Sequence, residues 1–242
     1  MSKNQTIPQL QSIDRETVFH PSTHASDHTH GKIPVNIIKS GNGIYIKNQQ
    51  GTELLDAFAG LYCVNVGYGR TEIADAIYKQ AKKLAYYHTY VGHSNEAIIE
   101  LSQRIIDWAP DGMRKVYYGL SGSDANETQI KLVRYYQNII GNKSKKKIIS
   151  RDRGYHGSSI ASGSLTGLNL FHQAFDLPIE GILHTLAPHF YWNAEDGMSE
   201  IEFSQYCADE LEKMILVEGS ETVGAFIGEP VMGTGGLIPP PE

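Results

Sequence analysis

Between Thr71 and Tyr87, in TEIADAIYKQAKKLAYY, the apolar residues Ile73, Ala76, Ile77, Ala81 and Leu84 recur every three or four positions, the spacing that lays them along one face of a helix. SNEAIIELSQRIIDWAP repeats the pattern, with Ser94 expected as the N-cap, Ala97 in place of a capping-box glutamate, and Pro110 as the stop. Upstream the period shortens to two. Ile44 and Ile46 alternate in GIYIKNQQGTELLDAF, lead into the turn NQQG and resume at Leu54 to Phe58, which predicts a hairpin. From Lys115 onward, strand-like and helix-like stretches alternate: KVYYGL, KKIIS and GAFIGEPV read as strands, and ANETQIKLVRYYQNIIG, SSIASGSL and EIEFSQYCADELEKMILVEG as helices. Such alternation predicts an α/β fold with a mostly parallel sheet and helical crossovers. Ligands of such sheets sit outside the carboxyl ends of the strands, which singles out three exit loops, SGSDAN, RDRGYHG and EPVMGTGG.

Composition narrows this picture only a little. A chain of 242 residues with 40% hydrophobic side chains can bury a sizeable core. Its formal charge of −6 argues against a polyanion-binding surface, and the one basic cluster, NKSKKKIIS, reads as a solvated loop entering a strand. Cys63 and Cys207 stand alone, without the spacing of a disulfide framework or a thiolate metal site. The polar start lacks the apolar core of a signal peptide, and no run of roughly 18 apolar residues could span a bilayer; a cytoplasmic location is expected. His20, His24, Asp27, His28 and His30 crowd together in HPSTHASDHTHG. His24 and His28 have the i, i+4 spacing that could hold zinc on a helix, but His20-Pro21 and the Ser/Thr content read as a loop, and no metal site is expected.

At the first exit loop, Ser121, Gly122 and Ser123 lie between a strand and a helix, where free N–H groups and the positive end of the helix would bind a phosphate monoester. The plain alternative is an ordinary helix start with Ser123 as N-cap and Asp124 in its first turn; a bound phosphate would require Asp124 to point away from it. There is no Walker-type G-x-x-x-x-G-K-[ST], and GLSGS lacks the closing glycine of a hydrolase elbow, which disfavours Ser121 as a nucleophile. At the second loop, Gly154 and Gly157 flank Tyr155 and His156; these are either core aromatics or a plate on which a planar heteroaromatic ligand stacks. Glu229, at the end of the third strand and fixed by Pro230, places a carboxylate at the same edge, or else serves as a cap or loop ion-pair partner.

Phosphate loop, aromatic plate and carboxylate, in that order, fit a phosphorylated planar cofactor. SGSDANE, RGYHG, GAFIGEPV and GIYIKNQQGTELLDAFAGLYCVNVGYGR together resemble the class III aminotransferases, pyridoxal-phosphate enzymes of fold type I, from about Lys32 to the end. GLYCVNVGYGR carries a likeness to the members that move amino groups from ω-amino acids, diamines or simple amines to pyruvate. The resemblance implies pyridoxal 5'-phosphate as cofactor, its phosphate held by Ser121, Gly122 and Ser123, its ring stacked on Tyr155 beside His156, and Glu229 in the shell around it. It also implies that Tyr62 and Tyr155 line the substrate pocket, and that the sites form in a homodimer, with Tyr90 or its neighbours reaching the partner. Small-molecule amine donors and keto-acid acceptors would be the partners, with no nucleic acid or membrane.

The family's chemistry needs a lysine that holds the cofactor covalently and shuttles a proton. None of the fourteen lysines suits it: Lys145 lies in a polar triple-lysine run, and Lys79, Lys82, Lys83, Lys131 and Lys213 are expected on exposed helix faces. The resemblance therefore places the catalytic lysine beyond Glu242, together with an aspartate for the pyridinium nitrogen. It implies residues 1–60 as an N-terminal segment and hairpin of a small α+β domain, and 61–242 as an incomplete cofactor-binding large domain, inactive alone. The rivals are a non-catalytic cofactor- or partner-binding remnant, and an aminomutase or decarboxylase on the same scaffold.

Overall fold

A computed structural model describes residues 5–242. The chain divides into two compact units, one ending at Leu101 and one running from Ser102 to Glu242.

The first unit opens with α1 (Ile7–Thr17), which the polar beginning of the chain did not lead us to expect. Its start is fixed by a capping box: Thr6 N donates to Gln9 Oε1 at 2.8 Å, and Pro8 stands in the first turn, where a missing N–H costs nothing. A short α2 (Ala25–Thr29) follows. Three antiparallel strands come next in the order β1-β2-β3: β1 (Ile38–Asn42), β2 (Tyr45–Asn48) and β3 (Glu53–Leu55). The expected hairpin is β2–β3, its turn pinned by Asn48 Oδ1 accepting from Gln50 N at 3.0 Å and Thr52 N at 2.9 Å. α3 (Ala59–Tyr62) is a left-handed turn rather than a true helix, with positive φ at Gly60, Leu61 and Tyr62. α4 (Thr71–Lys83) and α5 (Glu96–Trp108) occupy the two periodic stretches, and the boundary between the units, after Leu101, falls within α5. The cap of α5 lies one residue later than expected: Asn95 Oδ1, not Ser94, accepts from Ile98 N, at 3.1 Å.

The second unit holds α6 (Gly122–Ile139), β4 (Lys147–Arg151), α7 (Ile160–Leu165), β5 (Ile182–Thr185), α8 (Phe190–Asn193), α9 (Glu200–Glu218) and β6 (Val223–Phe226). Its sheet has the order β5-β4-β6, and both pairings are parallel, as the alternation predicts. The crossover from β4 to β5 runs one way along the sheet and that from β5 to β6 runs the other. Right-handed crossovers in opposite directions place α7 and α9 on opposite faces.

On one face Ile148, Ile182, Leu165 and Ile130 form a buried cluster completed by Ala161, Ile179, Ala225 and Ile227. The pleat turns Ile149, which has no exposed surface, to the other face. Each such side chain contributes about 1.5–3 kcal/mol through burial. β5 went unread in the sequence because ILHT carries only two adjacent apolar residues and a histidine. KVYYGL, expected as a strand, has no ladder partner among the described residues and is irregular; propensity alone does not make a strand without a neighbour to bond. Among the described residues, no helix is long and apolar enough to cross a membrane.

Candidate active site

Both exit loops that follow strands of the parallel sheet meet at its carboxyl edge, because β4 lies between β5 and β6. Glu229, three residues past β6, is the joint. Its Oε1 accepts from Tyr155 N at 2.8 Å and its Oε2 from Gly233 N at 3.0 Å, so one carboxylate ties the RDRGYHG loop to the EPVMGTGG loop. Arg151 adds a bond from Nη1 to Glu229 O at 3.1 Å. Arg153 reaches Gly235 O through Nε at 2.8 Å, with its guanidinium over the Trp192 ring.

The helix that begins at Gly122 grips the same loop. Ser123, Asn126 and Glu127 stand at i, i+3 and i+4, one face of α6. Ser123 Oγ accepts from Ser158 N at 3.1 Å, and Asn126 Nδ2 donates to His156 O at 2.7 Å. Glu127 Oε1 accepts from Ser159 Oγ, Ala161 N and Ser162 N at 2.6, 3.0 and 3.1 Å, closing the start of α7. Sequence reasoning had assigned no role to Asn126 or Glu127; their polar i, i+3, i+4 spacing from Ser123 was the available signal.

Ser121, not Ser123, is the N-cap of α6: its Oγ accepts from Asp124 N at 3.1 Å. The correction follows from the helix starting two residues earlier than the apolar pattern shows. Asp124 turns back to accept from Leu120 N at 2.9 Å, away from the helix mouth, as a phosphate site requires. The N–H groups of Gly122 and Ser123 have no acceptor among the described residues. Each serine hydroxyl accepts one bond from the backbone and so keeps its own proton to donate. The mouth of α6 thus offers two backbone N–H donors, two O–H donors and the positive end of an 18-residue helix, a donor set that fits a phosphate dianion.

Tyr155 is half-buried, edge-on to Phe171 with ring centroids 5.5 Å apart. His156 is buried, its N donates to Thr166 Oγ1 at 2.9 Å, and its Nε2 has no partner. Burial lowers the His156 pKa, partly opposed by the nearby Glu229 charge, so the ring is neutral. Gly157 has φ +130° and packs against both Ser123 and Ser162, leaving no room for a side chain. Gly167 is docked as closely on the backbone of Arg151–Arg153, exchanging bonds with Arg153 N at 2.7 Å and Gly154 O at 2.8 Å.

Ser121, Gly122, Ser123, Tyr155, His156 and Glu229 therefore belong to one bonded assembly in the second unit. Tyr62 and Tyr90 lie in the first: Tyr62 is exposed in the left-handed turn, edge-on to Phe58 with centroids 5.1 Å apart, and Tyr90 is exposed in a short 3-10 turn. Lys145, Lys146 and Lys147 sit at the amino end of β4, the edge opposite the exit loops, where Lys147 pairs with Glu218 at 2.7 Å. A separate cavity of about 250 Å³ opens among Arg151, Thr185, Cys207 and Phe226; none of the candidate cofactor residues lines it.

A parallel sheet whose exit loops and helix mouth converge in this way defines an α/β protein with a candidate anion site at the carboxyl edge of its sheet. The family profile described as Aminotransferase class-III matches residues 25–242, and the chain belongs to that family. It is 63% identical over 239 residues to the diaminobutyrate–2-oxoglutarate transaminase of Halomonas elongata, covering 98% of this chain and 51% of that protein. It is 45% identical to the putrescine–pyruvate aminotransferase of Pseudomonas aeruginosa, over 85% of this chain and 45% of the relative. Among solved structures, a transaminase from directed evolution by ancestral reconstruction superposes with a TM-score of 0.95 at 70% identity, over 98% of this chain and 52% of the other. The ω-transaminase of Pseudomonas jessenii in complex with PMP gives 0.93 at 42%, over 98% and 51%. The chain spans about half the length of the curated relatives it matches.

Proposed function

We propose that the complete protein is a pyridoxal-phosphate-dependent aminotransferase, moving an amino group from an amine or ω-amino acid to a keto acid such as pyruvate. The observation that carries this is the mouth of α6, where the unpaired N–H groups of Gly122 and Ser123 stand with the free hydroxyl protons of Ser121 and Ser123. The named relatives, acting on diaminobutyrate, putrescine, 2-oxoglutarate and pyruvate, support the same reaction class.

In this reading Ser121, Gly122 and Ser123 hold the cofactor phosphate, Tyr155 stacks on the ring, and Glu229 fixes Tyr155 by its backbone rather than touching the reacting atoms. His156 acts from behind the loop as a buried, neutral wedge. When bound, the cofactor supplies an electron sink conjugated to the amine nitrogen. Tyr62 would line the substrate pocket. Residues 1–60 would complete a small domain and 61–242 would form part of a large one, in a cytoplasmic homodimer to which Tyr90 contributes.

Titration of the chain with pyridoxal phosphate, followed by absorbance, tests the assignment. Phosphate-dependent binding is expected, with Tyr155→Phe close to wild type and Tyr155→Ala weaker by roughly fivefold, since a stacked aromatic pair adds about 1 kcal/mol. Equal affinity for pyridoxal without its phosphate would remove the α6 assignment. The rival reading is a module that binds the cofactor without chemistry. It is distinguished by reversible binding with no borohydride-trapped adduct in the complete protein.

A further inference from the structure

Far along the chain from those loops, the first unit gathers three side chains that the proposed function does not use. His20 Nε2 and His28 Nε2 each lie 3.0 Å from the same oxygen, Asp14 Oδ1, and the three ligand atoms all fall within 4.8 Å of one another. The rings do not stack; their centroids are 4.5 Å apart at 59°, so the two Nε2 atoms converge on one point. The i, i+4 pair read from the sequence is not the one that forms. His24 instead caps α2 with its Nδ1, accepting from Asp27 N at 3.3 Å, and His30 bonds its own helix through Ser26 O at 2.7 Å.

We propose that Asp14, His20 and His28 form a binding site for a divalent transition-metal ion of the zinc class. Two imidazole nitrogens and one carboxylate oxygen are the donors such an ion selects, whereas magnesium and calcium prefer oxygen alone. Tetrahedral zinc, with bonds of about 2.0–2.1 Å, separates its ligand atoms by roughly 3.3 Å, so the ion enters if Asp14 Oδ1 draws back from each Nε2 by a few tenths of an ångström. Each ring then carries its proton on Nδ1 and turns the Nε2 lone pair to the metal.

The site is held from several sides. Asp14 comes from the capped helix α1, which Gln11 Nε2 fixes to Val35 O at 3.1 Å, and His28 from α2, whose end is fastened by Lys32 N and Ile33 N donating to Asp27 O at 2.8 and 3.3 Å. The His28 side chain is 7% exposed and that of Asp14 22%, sheltering the ion, while His20 at 38% leaves a way in. His20, Thr23 and His28 line two cavities, of about 190 and 390 Å³, with room for a water as fourth ligand. The ion would tie α1, the 18–24 loop and α2 into one piece.

After dialysis against a chelator, the chain is titrated with zinc by calorimetry and with cobalt(II) by visible absorbance. One equivalent of each is expected, with a tetrahedral cobalt spectrum and slowed hydrogen exchange across residues 7–37 on loading. His20→Gln and Asp14→Asn should each weaken binding by more than about 100-fold, beyond the 10–100-fold typical of losing an outer partner, with far-UV dichroism unchanged. His24→Gln should leave it intact. Absence of a stoichiometric ion in the unmodified chain, or undiminished affinity in His20→Gln, would reduce the cluster to a hydrogen-bonded triad. His20 is half-exposed, so its variant decides the matter even if Asp14→Asn fails to fold.

Discussion

The two three-stranded sheets of this chain answer the same hydrophobic effect in opposite ways. The parallel sheet β5-β4-β6 is closed by α7 and α9 on its two faces, and Ile148, Ile149, Ile182 and Val223 are buried in it. The antiparallel sheet β1-β2-β3 leaves Ile38, Tyr45, Leu54 and Leu55 exposed, and Val35 is the buried hydrophobic residue of the first unit among those described. A βαβ crossover brings its own cover with each strand, whereas a hairpin needs something else to lie on it. The candidate cofactor residues stand on the sheet that has its core in place, and their geometry is correspondingly over-determined: Tyr155 and His156 are held by Glu229, Asn126 and Thr166 together.

The sharpest break of this comparison is Ile149→Ala on β4, expected to cost about 2–5 kcal/mol through lost burial and a residual cavity. Urea denaturation followed by near-UV dichroism reads it; a loss under 1 kcal/mol would mean that β4 is not the centre of the folded core. Next comes Gly167→Ala, whose new methyl meets the backbone of Arg151–Arg153. A destabilisation of about 1–3 kcal/mol, with loss of order in the 155–157 loop, is the outcome to look for by hydrogen exchange.

A smaller effect separates the units by pH. Burial lowers the pKa of both His156 and His184, against weaker opposing charges on Glu229 and Asp152, with His172 and Arg151 acting in the same sense as burial. A histidine with a depressed folded-state pKa contributes stability that is complete above its unfolded value near 6.5 and is lost as pH falls below it, because the unfolded chain takes up the proton first. The second unit should therefore lose stability from about pH 6.5 downward, and the double variant His156→Gln, His184→Gln should flatten that slope. The smallest effect belongs to Leu55→Ser on the exposed β3, expected to stay within about 0.5 kcal/mol. A large loss there would show that the antiparallel sheet is covered in solution.

Much of the fold was legible because the amphipathic period is a local property. The spacing of α4, α5 and α6, the hairpin and the parallel character of the second sheet were all legible, and so were the exit loops after β4 and β6, whereas SGSDAN follows an irregular segment rather than a strand. What escaped was fixed by single polar atoms. Apolar periodicity does not register a polar helix start, so the cap of α6 was misplaced from Ser121 to Ser123 and that of α5 from Asn95 to Ser94. β5 is too short to show a period, and KVYYGL has the propensity of a strand without a partner. α1 is announced by a capping box, not by an apolar stripe.

By itself the sequence singled out candidate residues, the Ser121–Ser123 run, the glycine-flanked Tyr155 and Glu229, and it read the histidines near the N-terminus as a loop. Composition and spacing suffice for that because they set charge, reach and backbone freedom residue by residue. Only the tertiary structure decided which of them meet. It joined Glu229 to Tyr155 across 74 positions and turned His28 away from His24 toward Asp14. Hydrogen bonds between distant segments depend on sheet order and helix placement, and no local period encodes those.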